Sequence, residues 1–373
     1  MIKIILSILI LFSLNANAFE NRALTRSPRG LLMGDAYTSI ATDEYTLFYN
    51  PALLARHKGF SFASLNPSIT GPNLISDSSR LDGAGDTTSG FATAAMDFPI
   101  HLGVGLAPGF KMGRFGMSAI LNYETNLLLQ NAVTPILKID HRYDKGFVMG
   151  YGFPISGSYS TDGGGEHFAG GVSLKYITRE AIDNSFNLTG LSLLDSLSGT
   201  DTNAILTSLG KVRGSGYGLD FGLDYANGSG ANTITASLAI LDIYTVLRTE
   251  ENDDGYKVPA QPMKINMGSA YRVSAGSGFQ LTLSADIKHL EQKNVELMRR
   301  LHVGAELGMS PLFSLYYGIQ ALDNFSYGFK FTAGLFKIIG GFYTNEIGEK
   351  LGQTESNEFL IYFSFFHFNF DPL

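Results

Sequence analysis

The sequence predicts an all-β protein: a transmembrane antiparallel β-barrel of about 14 strands, with a small N-terminal helical hatch. Three observations carry that reading. The chain opens on an export signal, it alternates apolar and polar residues over most of its length, and its composition is poor in charge but rich in glycine and aromatics.

The signal comes first. Lys3 precedes the apolar run "IILSILILFSL", which ends in the small-residue site "NANA". This is the pattern of a cleaved secretory signal over residues 1–18, leaving Phe19 as the first mature residue. The run is too short to span a bilayer, and no later stretch reaches the ~18 apolar residues that a spanning helix needs.

Composition narrows the function classes. The 373 residues contain no cysteine, which excludes a disulfide framework, a thiolate metal site, a thiol nucleophile and a lipid-bearing Cys. Any membrane attachment therefore comes from the fold. A net charge of −7 with no Lys/Arg run argues against a nucleic-acid partner. Charged residues make up only 16% of the chain, against ~25% in a typical soluble protein. A surface that faces lipid has less room for charge.

Residues 19–58 form the expected hatch. Within "RGLLMGDAYTSIATDEYTLFYNPALLA" (Arg29 to Ala55), Gly30, Gly34, Ala36 and Ala41 allow a helix or tight coil to lie close against other backbone. Asn50 before Pro51 and Ala52 reads as a cap and first turn. The Asn side chain accepts an orphan N–H, and Pro at the first helical position sacrifices no hydrogen bond. Leu53, Leu54 and Ala55 continue that turn. The segment is compact, partly apolar and placed before the first strand, as a lumen plug would be.

Residues 59–373 form the expected barrel. In "YGLDFGLDY", Tyr217, Leu219, Phe221, Leu223 and Tyr225 fall on one face, and Gly218, Asp220, Gly222 and Asp224 on the other. The same division recurs in Phe279 to Ile287 and Leu301 to Met309, which puts Asp286, His302 and Glu306 on the polar face. Such alternation suits a soluble sandwich or a membrane barrel. Export, strands near the ~9–11 residues that cross a bilayer, and tyrosines bracketing the apolar faces select the barrel. Lipid offers no partner to bare N–H and C=O groups, so the sheet has to close. The last strand, "EFLIYFSFFHFNF" (Glu358 to Phe370), is the most apolar. Glycine on the polar face suits a lumen crowded by a plug. Short turns such as "ANGSGAN" (Ala226 to Asn232) contrast with long excursions at Asn66 to Gly90, Glu180 to Gly214 and Arg248 to Pro262. The leucine-rich Glu180–Gly214 excursion is expected to fold as short helices over the mouth.

Catalytic signatures are missing: there is no G-x-S-x-G, H-E-x-x-H or P-loop pattern, and the seven histidines are scattered. The reading is therefore a non-enzyme with no cofactor and no metal. Asp220, Asp224, Asp286, His302 and Glu306, with Lys175, Lys264, Arg272 and Lys330, are expected to line a polar lumen of mixed sign, solvated and mutually paired. The run "EENDD" (Glu250 to Asp254) lacks EF-hand spacing and reads as a solvated loop. Arg22, Arg26 and Arg29 are candidates to meet a ligand carboxylate, since guanidinium offers a bidentate fork. The alternative is plain periplasmic surface.

The order of a small-residue segment, then Asn-Pro-Ala, then a barrel resembles the FadL/PorV-type superfamily of outer-membrane proteins. The residues that match its hatch pattern are Gly34, Ala36, Ala41, Asn50, Pro51 and Ala52. "RRLHVGAELGMSPLFSLYYGIQ" (Arg299 to Gln320) and "FYTNEIGEKLGQTESNEF" (Phe342 to Phe359) are similar to the PorV and TraF-like branch. The resemblance implies a 14-stranded barrel in the bacterial outer membrane, in contact with its lipids and lipopolysaccharide. FadL-like members imply passage of a hydrophobic small molecule of fatty-acid or hydrocarbon type, released by hatch movement. PorV-like members imply binding of exported protein partners, with no transport. An apolar pocket behind Asn50–Ala52 with a broken wall strand favours the first; a sealed wall with a large apolar outer mouth favours the second.

Overall fold

The computed structural model describes residues 23–73, 96, 98–131, 133–158, 165–187, 202–229, 231–250, 255–275, 278–293, 295–346 and 355–370. The predicted signal (1–18) and Arg22 lie outside them, as do most of the Asn66–Gly90 excursion and residues 251–254 of the acidic run.

Seventeen strand segments make one antiparallel sheet that closes on itself. They are β1 (Phe60–Leu65), β2 (Pro67–Pro72), β3 (Ile100–Leu106), β4 (Gly109–Met112), β5 (Phe115–Gln130) and β6 (Ile136–Gly157). Next come β7 (Gly165–Asn187), β8 (Val212–Gly228), β9 (Asn232–Ile243), the two-residue β10 (Arg248–Thr249), β11 (Lys264–Ala275) and β12 (Phe279–Ile287). The last are β13 (Leu301–Gly308), β14 (Phe313–Gln320), β15 (Asn324–Ala333), β16 (Phe336–Glu346) and β17 (Glu355–Phe370). β1 and β2 share one partner strand in one register, Phe60↔Phe370 through Ser68↔Tyr362, so together they are one wall strand. β3 and β4 are likewise one strand along β5. With β10 a side pairing on β8, the wall is a closed ring of 14 strands, and the aromatic C-terminal β17 closes it against β1. Among the described residues every wall strand has a neighbour on both sides, as a lipid environment requires.

The two faces divide as the period of two predicts. Tyr217, Leu219, Leu283 and Val303 are exposed on the outside, whereas Asp220, Asp224, Asp286, His302 and Glu306 are buried inside. Aromatic pairs such as Tyr176–Tyr217 (5.0 Å) and Tyr327–Phe342 (5.6 Å) lie on the outer face. Connections at one end are short, as at Gly113–Arg114 and Gly334–Leu335. Those at the other include 73–99, 188–211 and 244–263. The chain enters β1 and leaves β17 at the short-turn end.

β6 and β7, at 22 and 23 residues, far exceed a bilayer crossing. The described part of the Glu180–Gly214 excursion corrects an expectation. Helix Thr202–Ser208 does not cap the mouth. Ile205, Leu206 and Leu209 pack on Ile139, Ile182 and Phe186, which alternate onto the outer face of the projecting β6–β7 ribbon. The leucines cover apolar residues that stand above the membrane, where water would otherwise reach them.

Candidate functional site

The N-terminal segment runs through the lumen as three short turns rather than one helix. Helix α1 (Pro28–Leu32) starts with Ser27 as its cap, whose hydroxyl accepts from the Gly30 N–H at 3.2 Å. It stops because Gly34 takes a left-handed conformation (φ 61°). Helix α2 (Thr46–Tyr49) leads into a 3-10 turn, Pro51–Arg56. Asn50 caps that turn by accepting from the Ala52 N–H at 3.0 Å, with Pro51 in the first position. Leu32, Met33, Ala36, Tyr37, Ala41, Tyr45 and Leu54 are almost fully buried, so the segment carries its own small core into the tube.

Its small residues, and the glycines of the wall, permit backbone-to-backbone contact. A Cβ at Gly171 would stand 2.3 Å from the Ala52 nitrogen, and one at Gly318 would stand 1.9 Å from the Gly34 nitrogen. Helix α1 rests on β14 to β17, and the 3-10 turn crosses β6 to β8. The lumen glycines are thus a groove cut to the shape of the plug.

Charge pairs fasten it. Arg56 forms a bidentate pair with Asp224 (Nε–Oδ2 2.7 Å, Nη2–Oδ1 2.5 Å), both buried. Arg29 Nε donates to Glu306 at 2.9 Å. Asp35 pairs with Lys288, and Glu44 with Lys337 at 2.9 Å and with the Tyr362 hydroxyl. Asp286 Oδ2 accepts from the backbone N–H of Tyr37 and Thr38, each at 2.8 Å. His302 Nδ1 lies 2.7 Å from the Gly34 carbonyl, and Asn50 Nδ2 donates to the Leu223 carbonyl at 3.2 Å. Burial pushes the Asp35 carboxyl up, but Lys288 and His302 outweigh it and hold it down at about 2. Glu44 also sits at about 2, with burial opposed by Lys337 and His367. Burial raises the phenols of Tyr37, Tyr45 and Tyr49 well above their ordinary range.

The candidates read from the sequence therefore separate by partner. Asp224, Asp286, His302 and Glu306 each hold a different part of the plug. His302 and Glu306, four residues apart, do not share a ligand. Asp220 instead pairs with Lys175 at 2.6 Å, which also reaches Asp242 at 2.6 Å. Arg29 is no surface cation: it is clasped by Glu306, while Arg26 turns to Asn345 at 3.4 Å. Sequence reasoning missed the wall cations Lys288 and Lys337, which lie near strand ends. It also missed Arg179, whose guanidinium holds Asp144 and donates to the carbonyls of Pro259 and Ala260 and to Gln261. Those contacts fold part of the 244–263 connection inward at the long-loop end.

Among the described residues, the wall is interrupted near the short-turn end. Phe60–Ala63 pair with Met112–Gly109, but Pro67–Thr70 pair with Leu106–Gly103, a slip of one residue. Pro108 cannot donate there. Asn66 bridges the break with its side chain, accepting from the Ala107 N–H (3.0 Å) and donating to the Ala107 carbonyl (2.8 Å). A cavity of about 700 Å³ lies between the plug and the short-turn end. The apolar pocket that would favour passage is present only in part: Leu47, Leu53, Phe62, Phe110 and Ile339 share the lining with Arg29, Arg56, Lys111, Arg272, Lys330 and Lys337. The strand alternation had already turned Arg272 and Lys330 inward; Lys111 and Lys337 join them only through ring closure.

No protein-family model matches the sequence, and no curated protein matches it. By fold, the chain is similar to the CymD monoaromatic hydrocarbon channel at 10% identity and a TM-score of 0.48, over 95% of this chain and 100% of that one. It is also similar to the Pseudomonas putida toluene transporter TodX at 12% identity and a TM-score of 0.49, over 94% and 100%.

Proposed function

We propose that this chain is an outer-membrane channel that passes hydrophobic small molecules, of fatty-acid or hydrocarbon type, with its N-terminal segment as the gate. The reading stands on the plug itself. Among the described residues it is tied to the wall by side-chain pairs and no strand pairing, so it can leave without opening the barrel ladder. Gly34, Ala36, Ala41 and the Asn50-Pro51-Ala52 turn are its contact surface, and the glycine groove is the path it would vacate. The stitched break at Asn66 supports the passage reading on one of its two marks; the cavity, charged as well as apolar, does not supply the other. The long-loop end faces outward among lipid and lipopolysaccharide, and the short-turn end faces the periplasm, as in barrels of this class.

The test exploits the absence of cysteine. Asp35→Cys with Lys288→Cys, bridged by a cleavable bis-methanethiosulfonate, locks the plug to the wall. Proteoliposome uptake of an aromatic hydrocarbon is expected to stop on bridging and to return on reduction. Uptake that ignores the bridge refutes gating by this segment, and no uptake above empty liposomes in any state refutes passage.

A further inference from the structure

The outer end of the lumen carries a fastening that holding the plug does not explain. Residues 255–261 turn inward, and Arg179 ties them to the wall. Its guanidinium is clasped by Asp144 (2.6 and 2.8 Å) and donates to the carbonyls of Pro259 (3.0 Å) and Ala260 (3.3 Å) and to Gln261 Oε1 (2.7 Å). Gln261 Nε2 donates in turn to Asp242 at 2.9 Å, and the Val258 N–H to the Thr249 hydroxyl at 3.0 Å. Val258 packs on Ala181 and Val212, with Leu247 beside them. Arg179 is 1% exposed, and a guanidinium stays buried only where its charge is paired and its donors are met. The carbonyls of this strap meet them, so the strap and the dry Arg179 stand or fall together.

The register of β7 sets the levels inside the tube. From the outer end inward, Ala181, Arg179, Ile177, Ser173 and Gly171 face the lumen. The strap holds the Ala181 and Arg179 levels. Leu24, at the start of the plug, packs on Ile177 and Ile120 one level further in. The Asn50–Ala52 turn lies deeper, against Gly171. Leu247 belongs to both groups: it packs with Val258, Ala181 and Val212, and also with Leu24, Ile120 and Ile177. Ile120 and Ile177 point into the tube yet are almost fully buried, so water does not reach them from the outer end.

We infer that residues 255–261 are a second closure, at the outer end of the tube, and that Leu247 couples it to the plug. Lifting the strap draws Leu247 off Leu24 and loosens the plug; release of Leu24 loosens the strap in return, because coupling between two sites is reciprocal. The inference rests on the passage reading and deepens it. A molecule arriving from outside meets the strap first, and its entry primes the plug to leave.

The experiment is hydrogen exchange of the folded barrel in detergent, followed in peptides 23–33 and 255–261. Arg179→Met with Asp144→Leu removes both charges of the strap's anchor and leaves the ladder intact; Leu24→Ala cuts the contact from the plug side. Each is expected to accelerate exchange about tenfold at its own site and about fivefold at the other, with the ladder of β12 and β13 as the internal control. Val258→Ala repeats the strap arm without touching a charge, and heat-dependent mobility on gels confirms that each variant is folded. Acceleration confined to the perturbed site in both directions overturns the coupling. Closure is read separately in this cysteine-free chain. Ser173→Cys places a single thiol beneath the strap, and a charged methanethiosulfonate is expected to reach it about tenfold faster once the anchor is removed. An unchanged rate overturns the outer closure. Hydrocarbon uptake measured in parallel separates the two readings. Uptake without these effects sinks only this inference, and these effects without uptake sink only the channel.

Discussion

Replacing Asp224 by Asn tests how the plug is held. Asp224 is fully buried at the root of β8, gives both oxygens to Arg56, and also accepts from the Ser237 hydroxyl at 2.8 Å. Asn keeps the shape and one acceptor but leaves the Arg56 charge uncompensated. Breaking one side of a buried pair costs about 3–5 kcal/mol, and the retained acceptor points to the lower end. Because 1.4 kcal/mol is a factor of ten, the docked-to-undocked ratio falls by roughly a hundred- to a thousandfold. The barrel ladder makes no use of that pair, so the loss falls on the plug. Hydrogen exchange of the peptide 50–57 is expected to accelerate accordingly, while exchange in β8 and β9 stays slow. Pairing Arg56→Met with Asp224→Leu removes both charges and is expected to restore most of the protection. Unchanged exchange in Asp224→Asn refutes the ion-paired clamp. Equal acceleration throughout the barrel refutes the separation of plug from wall.

Three further outcomes follow from the same geometry. Gly171→Ala puts a methyl group against the Ala52 nitrogen, where neither backbone has room. It is expected to cost about 1–3 kcal/mol and to make 50–57 protease-sensitive; an undisturbed plug contradicts the groove. Asn66→Ala leaves the buried Ala107 N–H without its partner and its carbonyl with the Ser118 hydroxyl at 3.4 Å alone; the orphaned N–H costs about 1–3 kcal/mol, and exchange at Ala107 is expected to rise by tenfold or more, with distant strands as the internal control. For pH, Asp35 and Glu44 are held below their unfolded values, so their contribution is complete above about pH 4.5 and is lost as pH falls toward 2. Each contributes roughly 2–3 kcal/mol, so plug protection is expected to fade across that interval. The Asp35→Asn, Glu44→Gln variant is expected to show a shallower profile there, with Glu306, which is paired with Arg29 and Lys330, supplying the remaining slope.

Much of this architecture is written in local pattern. A period of two placed Tyr217 and Val303 outside and Asp220 and Glu306 inside, because a strand has only two faces to offer. The Asn50–Pro51 cap was legible for the same reason: its chemistry involves neighbours in sequence. The rest depends on partners far along the chain. Nothing near Asp224 announces Arg56, 168 residues away, and nothing near Lys288 announces Asp35. Gly34 sits at helix-compatible spacing, but the backbone of β13 and β14 forces it to turn. Arg272 and Lys330 were legible as lumen residues, but the full set of cations at the cavity was not. It is a sum over β4, β11, β15 and β16, and only ring closure brings those strands to one cavity. The helix Thr202–Ser208 went to the outside of the wall because β6 and β7 outrun the membrane together, a property of the pair.

The account depends most on the apolar outer face meeting lipid. Its most direct measurement is sedimentation and circular dichroism of the purified mature chain with and without amphiphile. The account predicts a monodisperse, β-rich, heat-modifiable species in detergent or liposomes and precipitation once they are withdrawn. A stable, folded monomer in plain buffer contradicts it.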